Sequence, residues 1–305
     1  MEKELKTITE NLKPTTAKTY ENSYKRLRVV LELKDKRKPV KKLDLDNIIE
    51  KLNKVENPNT KYSMFVVVKK LFNSESNKDK IDELDKKIRE EKRDHQIAKN
   101  GNLKKELPTY KELNDAIKKE TDPIKYIINF LFLKVNTRNM DIAYIDIHKS
   151  VENEDDLDKD RNHIYIKDGK AIFIRNKYKT FKSYGQKKNI ISVKKFVDTI
   201  KSFLGDKDKV ALFAKRNGQP IAVGAIGSYF RRYMILDLNE GEIMKIVLKH
   251  IDEEGSYDML RRVANNRGTS IGTLLKEYDI TNVNNPTNVI TQNQDVKQKV
   301  EINNE

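Results

Sequence analysis

The chain contains no cysteine. Disulfide bonds, thiolate catalysis and cysteine-ligated zinc are therefore excluded. Long apolar runs are also missing, since no stretch approaches the ~18 consecutive apolar residues that a membrane-spanning helix requires. The first ten residues, MEKELKTITE, lack the apolar core of a secretory signal. Together these absences predict an intracellular protein that is neither secreted nor inserted in a membrane.

Several familiar catalytic and metal-binding motifs are absent as well. The sequence has no glycine-rich phosphate loop, no G-x-S-x-G nucleophile elbow and no H-E-x-x-H zinc motif. Its four histidines, at positions 95, 148, 163 and 250, are too widely spaced to form a zinc site by local spacing. The acidic stretch at 152–160 lacks the central glycine and terminal glutamate of a calcium loop, which favours a solvated loop. We therefore expect no metal and no cofactor.

Charge is what the chain has in excess. Its 305 residues include 62 lysines and arginines against 47 acidic residues, a formal net charge of +15. Such an excess favours a polyanionic partner, because phosphates attract a basic surface. Codon bias of an AT-rich genome would give a similar composition, and charge alone does not separate DNA from RNA or anionic lipid. RNA is less favoured because no aromatic-rich strand of the base-stacking kind is present, so we expect double-stranded DNA.

The length suits two domains, and the first, at 1–100, has a helical pattern. Thr15 or Thr16 is expected to cap a helix that ends near Leu33 and places Tyr20, Tyr24, Leu27 and Leu31 on one face. Further helices are predicted at 45–52 and 61–72, and the highly charged stretch 77–99 is predicted to be a solvated helix or a connector. The turn signal Asn100-Gly101 marks the domain boundary.

The second domain, at 101–280, mixes helices with a few strands. Thr109 and Glu112 form a capping box, and Asp122-Pro123 starts an apolar helix that ends near Val135. Strands are predicted at 162–166, 171–175 and 189–193, the first two joined by an Asp168-Gly169 hairpin turn. Helices follow from 193 to 278, and 281–305 is a polar tail that we expect to be flexible. The pattern predicts a mainly α fold with a small antiparallel sheet, of the α+β class.

Basic residues that could contact DNA phosphates concentrate in the first domain. The predicted DNA-binding set is Lys25, Arg26, Arg28, Lys36, Arg37 and Lys38, together with Lys182 of the second domain.

A few single residues occupy suggestive places in the second domain. Arg138 follows the apolar helix, with Asp141 three residues later. Lys179 lies just past the predicted hairpin, in the segment NKYKTFKSYG. Glu242 and Lys245 begin a helix, and the segment ANNRGTSIGTLLKEYDI places Gly268-Thr269 before Tyr278, which is nine positions after Thr269.

This order resembles the catalytic domain of the tyrosine recombinase (phage integrase) family. That family shows an Arg-x-x-Glu/Asp box, a hairpin lysine, a His-x-x-Arg box, a Gly-His box and a nucleophilic tyrosine. The resemblance covers about 107–280, and 1–75 more loosely resembles the family's helical core-binding domain. Two positions depart from the pattern: Lys245 stands where the second arginine belongs, and Thr269 stands where histidine or tryptophan belongs. An alternative register places Lys249, beside His250, in the second arginine position.

The resemblance implies a role for each residue. Tyr278 would attack a backbone phosphate and form a covalent 3′-phosphotyrosine. Arg138 would clamp the phosphate, and Lys179 would protonate the departing oxygen while Asp141 orients the site. In the second box, Glu242 would stand beside Lys245, which supplies charge without the guanidinium fork; a helix-surface ion pair of these two residues is equally compatible with the sequence. Thr269 would donate one hydrogen bond.

The implied function is site-specific recombination of duplex DNA, for integration or excision of a viral or other mobile element, by a homo-tetramer assembled on DNA. The two domains would together hold the duplex. Two alternatives stay open: a relaxing enzyme similar to type IB topoisomerases, and a degenerate recombinase that only binds DNA.

Overall fold

A computed structural model describes residues 2–35, 37–101, 107–213, 226–278 and 300–302. Internal contacts divide the chain into two compact units, Met1–Lys104 and Lys105–Glu305. Within the described residues, no helix combines the length and the apolar character needed to cross a bilayer.

The first unit is all helical. Its helices are α1 (Glu2–Thr9), α2 (Pro14–Val30), α3 (Leu45–Asn53), α4 (Pro58–Leu71) and α5 (Lys78–Gly101). The apolar stripe predicted on α2 faces the core, where Tyr24 and Leu27 are fully buried against α4. Fold class and helix positions thus agree with the sequence pattern.

Two details of this unit differ from expectation. The N-cap of α2 is Lys13, and Pro14 opens the helix, so Thr15 and Thr16 lie inside it and do not cap it. The reason is that proline's fixed φ suits the first helical position. The charged stretch at 77–99 lies in α5 and is not fully solvated, because Ile81, Leu84 and Ile88 form a buried stripe on an otherwise charged helix.

The second unit combines nine described helices with six strands. The helices are α6 (Tyr110–Lys119), α7 (Pro123–Phe130), α8 (Asn139–Ala143), α9 (Phe181–Tyr184), α10 (Lys194–Leu204), α11 (Ile226–Phe230), α12 (Glu240–Glu254), α13 (Tyr257–Arg267) and α14 (Ile271–Tyr278). The strands are β1 (Ile145–His148), β2 (Asn162–Lys167), β3 (Lys170–Arg175), β4 (Lys187–Ile191), β5 (Lys209–Ala211) and β6 (Val300–Ile302). The capping box at Thr109 and the Asp122 cap before Pro123 are both present as predicted.

The strands form one sheet in the order β5-β1-β2-β3-β4-β6. The antiparallel part predicted from sequence is the meander β2-β3-β4, whose first turn places Asp168 and Gly169 at positive φ. The sheet is mixed, however, because β1 pairs parallel to β2 and β6 pairs parallel to β4. Strand β6 lies in the predicted tail, of which 279–299 and 303–305 are outside the described residues.

The two faces of the sheet differ. One face contributes Ile147, Ile164 and Phe173 to a large core shared with α7, α10 and α12. The other face carries a small cluster built on Tyr165 and Ile174, closed by Leu157 of the acidic loop. The loop at 152–160 therefore packs on the sheet and is not simply solvated.

Candidate active site

Arg138 is placed by a break in the chain that follows α7. A π-helical turn (Leu131–Val135) ends at Asn136, which adopts the left-handed conformation with φ of 58°. Arg138 is then the N-cap of α8, and its backbone N–H donates to Asp141 Oδ2 at 3.2 Å. Turns of the π type are frequent at functional sites, and this one directs the Arg138 side chain toward the end of α13.

The end of α13 is the structural centre of the site. Gly268 terminates the helix with φ of 60°, in the left-handed conformation that favours glycine. A Cβ at this position would lie 2.6 Å from Thr180 Oγ1 and 3.0 Å from Tyr178 Cε2. Position 268 therefore requires glycine both for backbone conformation and for the close approach of the β3–β4 loop.

Four side chains from two other segments donate to the last carbonyls of α13. Arg138 donates to the carbonyl of Arg267, and Arg175 donates to that of Asn266 at 2.7 Å. Lys187 donates to the Asn265 carbonyl, and Thr180 Oγ1 donates to the Gly268 carbonyl at 2.7 Å. Cations suit this end of a helix, where carbonyl groups lack intrahelical partners and the helix dipole is negative.

Arg267 connects this polar cluster to the predicted nucleophile. Its guanidinium is fully buried, and Nη2 donates to the Tyr278 hydroxyl oxygen at 2.9 Å. The same nitrogen donates to Glu240 Oε1 at 2.7 Å, while Nη1 donates to the Thr137 carbonyl at 3.1 Å. The guanidinium carbon also lies 4.9 Å from the centre of the Tyr278 ring. Arg138 and Tyr278, 140 positions apart by number, thus both contact Arg267.

The cluster contains a buried ion pair between Arg175 and Asp141. Arg175 Nη1 and Asp141 Oδ2 are 3.2 Å apart, and both side chains are inaccessible to solvent. Burial raises the pKa of the Asp141 carboxyl, an effect that the neighbouring Arg175 opposes. Arg175 Nη2 further donates to Asn189 Oδ1 at 2.9 Å, which ties β3 to β4. Removing one partner would leave an unpaired buried charge.

The cluster retains polar capacity that the protein itself does not use. Among the described residues, six buried side-chain polar atoms have no hydrogen-bond partner, and five belong to this cluster: Thr137 Oγ1, Asp141 Oδ1, Arg175 Nε, Asn266 Nδ2 and Arg267 Nε. Buried polar atoms without partners are rare and concentrate where function or an additional ligand requires them. This concentration marks the cluster as the candidate active site.

Two lysines of the β3–β4 region lie near it in different ways. Lys179 is exposed and makes no hydrogen bond or ion pair among the described residues, one position before Thr180. Lys187 is half-buried at the start of β4. Burial lowers the pKa of Lys187 to about 8, and the positive charges of Arg175 and Arg138 add to that effect. The charges of the cluster therefore change the pKa of Lys187.

The remaining predicted positions lie on α12 and at the end of α13. Lys245 is buried on α12, and Lys249 of the alternative register is exposed, 3.9 Å from Glu253. Glu242 closes the capping box of α12 with Asn239, accepting from its N–H at 2.8 Å. Thr269 is partly buried, and its N–H closes the α13 cap on the Ala264 carbonyl.

The basic residues predicted to bind DNA differ in availability. Lys25, Arg26, Arg37, Lys38 and Lys182 are exposed, whereas Lys36 lies outside the described residues. Arg28 is 6% exposed and donates to the carbonyls of Asp35 and Lys38 at 2.6 and 2.8 Å. Its guanidinium thus organises the loop after α2, so the structure does not leave it free for a phosphate, contrary to its place in the predicted set.

Sequence reasoning missed the residues that complete the cluster: Arg175, Lys187, Glu240 and Arg267. Arg267 had a local signal, since it directly precedes the glycine of the best-matching segment. Arg175 ends a strand in which the four preceding residues, at 171–174, are apolar, which makes a charged side chain there unusual. For Glu240 and Lys187 nothing local distinguishes the residue, because their proximity to the site depends on tertiary contacts.

A second polar group lies on the outer face of the sheet, and its composition is that of a metal site. Ligand atoms of Asp146, His148 and His163 lie within 4.8 Å of one another. Arg161 and Lys209 already neutralise Asp146, with Lys209 Nζ at 2.9 Å. The two imidazoles share a hydrogen bond, with 2.9 Å between His148 Nε2 and His163 Nδ1. The positive charges of Arg161 and Lys209 oppose the binding of a metal cation at Asp146. The group is therefore better explained as a network of hydrogen bonds and ion pairs.

Comparisons with known proteins give a limited result. No protein-family model and no curated protein matches the chain. A solved structure titled "Crystal structure of XerA recombinase" is similar over 91% of this chain and 93% of that chain, with 13% sequence identity and a TM-score of 0.34. With so low a similarity, function has to be inferred from the site itself.

Substitution of Gly268 by alanine should destabilise the second unit by about 1–3 kcal/mol, because of the positive φ and the contact with Thr180 Oγ1. In a Thr180→Ala background the same substitution should cost less, since the nearest clashing atom is gone. Chemical denaturation of the four members of this double-mutant cycle measures both values. Equal costs in the two backgrounds would show that the loop does not press on position 268.

The histidine pair should make stability depend on pH. Burial lowers the pKa of His148 to about 4, helped by His163, Lys209 and Arg161 and opposed by Asp146. The unfolded chain therefore binds the proton first, and the stabilising contribution of neutral His148 is present above about pH 6.5 and is lost as pH falls toward 4.

Comparison with His148→Gln isolates this contribution, because glutamine keeps a donor toward His163 without titrating. The substitution should destabilise the protein more at about pH 7 than at about pH 5. Urea denaturation at both pH values tests this, and a cost that is independent of pH would contradict it.

Proposed function

We propose that the protein is a DNA strand transferase that uses Tyr278 as its nucleophile, in the manner of a site-specific tyrosine recombinase. The single observation that carries the proposal is the hydrogen bond between the Tyr278 hydroxyl and the buried Arg267 guanidinium, inside a cluster that gathers Arg138 and Arg175 from distant segments. Cations around a phenol are what phosphoryl transfer to tyrosine needs, because negative charge grows on both the phenolic and the phosphate oxygens.

The reaction follows from this arrangement. The Tyr278 oxygen attacks the phosphorus of a backbone phosphodiester and releases its proton to solvent. The bond from phosphorus to the 5′-oxygen breaks, the departing oxygen takes a proton from a lysine, and the 3′-phosphate stays on the tyrosine. Attack by another 5′-hydroxyl reverses these steps and rejoins a strand. The phosphodiester bond energy is kept, so the cycle consumes no nucleotide.

Guanidinium groups provide the charge for the phosphate. Arg138 is partly exposed and is the group we assign to the phosphate oxygens. Arg267 supplies a second guanidinium, which holds the Tyr278 oxygen from its buried position, whereas the sequence pattern placed the second arginine at Lys245. Asp141 holds Arg175 and the N-terminus of α8 in place, so it acts as a positioning residue. Glu240 anchors Arg267 in the same way.

Integration or excision of a viral or other mobile element, by a tetramer on DNA, is the use we propose for this chemistry. The exposed basic residues Lys25, Arg26, Arg37 and Lys38 of the first unit, and Lys182 of the second, would add phosphate contacts.

A binding-only function is the second candidate, and one observation favours it. The guanidiniums of Arg138, Arg175 and Arg267 each donate to backbone carbonyls. Because these hydrogen bonds stabilise the fold whether or not a phosphate is bound, the cluster would be retained in a protein that has lost catalysis and only binds DNA.

Incubation with a pool of nicked duplexes of randomised sequence should yield a DNA adduct that survives denaturing gel electrophoresis. Tyr278→Phe should abolish the adduct while duplex affinity is kept, because only the nucleophilic oxygen is removed. Arg267→Lys should reduce adduct formation by about 10²-fold or more, since a lysine cannot reach both Glu240 and Tyr278 in the same geometry. An adduct that persists in Tyr278→Phe would show that another residue is the nucleophile, and the absence of an adduct with every duplex would leave only binding; either result contradicts the proposal.

The proton donor is either Lys179, as the resemblance implies, or Lys187, which contacts the cluster. A substrate with sulfur in place of the 5′-bridging oxygen separates the two, because a thiolate leaves without a proton. Alanine at the true donor should slow cleavage of the ordinary substrate strongly and spare the sulfur substrate. If Lys187 is the donor, the wild-type rate should also fall above about pH 8. Equal loss on both substrates would rule out that lysine as the acid.

A further inference from the structure

Exposed aromatic side chains lie beside the candidate active site. Among the described residues, five large hydrophobic side chains are exposed: Val29, Phe181, Tyr184, Leu236 and Tyr257. Two of the three aromatic ones, Phe181 and Tyr184, belong to α9, a single helical turn in the β3–β4 loop. Residues three apart on a helix share a face, and both rings are exposed on this turn.

The loop holds these rings in a fixed position. The Tyr178 hydroxyl donates to the Gly185 carbonyl at 2.7 Å and closes the loop at its base. Thr180 joins the loop to the Gly268 carbonyl, at the end of α13. The Phe181 ring packs edge-on against Tyr178, with centroids 6.0 Å apart, and Lys187 Nζ lies 5.2 Å from the centre of the Tyr184 ring. These contacts fix the turn that carries both exposed rings next to the end of α13 in the candidate active site.

Charge around the rings points to a polyanion. The segment 176–197 contains seven lysines and no acidic residue. Lys179 and Lys182, which flank Phe181, are exposed and have no acidic partner among the described residues. An apolar protein or lipid surface would contact the aromatic rings but would not explain the lysines. A nucleic acid explains both, because aromatic rings stack on its bases and lysines bind the phosphates of its backbone.

From this arrangement we infer that Phe181 and Tyr184 stack on a base that has left the duplex next to the phosphodiester at Tyr278. In an intact duplex the base faces are covered by neighbouring pairs, so two exposed rings find a stacking partner only where a base is unpaired or turned out. The preferred substrate is then DNA with an unpaired base beside the cleaved bond. This inference rests on the proposed function and narrows its substrate class.

Two duplexes of equal length test it, one fully paired and one with a single unpaired 2-aminopurine, with the full chain as the protein. The chain has no tryptophan, so 2-aminopurine can be excited without protein emission. Wild-type protein should bind the unpaired duplex more tightly and quench its fluorescence by stacking. Phe181→Ala/Tyr184→Ala should lose the quenching and roughly tenfold or more of the affinity for that duplex, while keeping its affinity for the paired one.

Two controls make the result specific. Tyr257→Ala removes an exposed aromatic ring at the opposite end of α13 and should behave like wild type. Phe181→Leu/Tyr184→Leu keeps apolar packing without aromatic faces and should match the alanine pair. Equal binding of both duplexes, or unchanged quenching in the two ring variants, would overturn the inference. Absence of binding to either duplex would instead refute the proposed function, so the two failures are distinguishable.

Discussion

The carbonyl end of α13 is the feature on which the second unit depends. Its last carbonyls receive donors from Arg138, Arg175, Lys187 and Thr180, which come from two segments far away in sequence. Helix ends need such partners, and cations satisfy them best at the negative end of the dipole. Satisfying one helix end therefore brings three cationic side chains together, and Gly268 makes the approach possible. Tyr278, one short helix later, is placed against the same group by Arg267.

The basic residues of this cluster stabilise the fold, and the proposed reaction gives them a second function. Their charges repel each other, and the fold offsets that repulsion with Asp141, Glu240 and the helix carbonyls. A phosphodiester would add negative charge at the same place, where preorganised donors act without further rearrangement. Five buried polar atoms of the cluster have no hydrogen-bond partner within the described residues, so the polar groups are packed more densely here than their hydrogen bonds alone require.

Much of the local structure could be predicted from the sequence, because it depends on near neighbours. The Thr109 capping box, the Asp122-Pro123 helix start and the Asp168-Gly169 turn are short-range signals, and all three are present. Of the candidate site, the structure brings Arg138, Asp141, Gly268 and Tyr278 into one region, while the roles of these residues stay predictions. Lys187 could not be ranked by sequence, since one lysine among many acquires a distinct environment only through packing. The parallel pairing of β1 with β2 escaped prediction because β1 itself was not predicted as a strand.

The proposed reaction requires the Tyr278 oxygen, held by the buried Arg267 guanidinium, to attack a phosphorus whose oxygens Arg138 contacts. A crystal structure of the protein with nicked duplex DNA and orthovanadate, which imitates the five-coordinate phosphorus of the transition state, tests this most directly. The vanadium should be bonded to the Tyr278 oxygen. Arg267 should donate to that phenolic oxygen, and Arg138 should donate to the vanadate oxygens. Vanadium bound elsewhere, or a DNA backbone whose phosphates pass this cluster without contacting Tyr278, would contradict the proposed reaction.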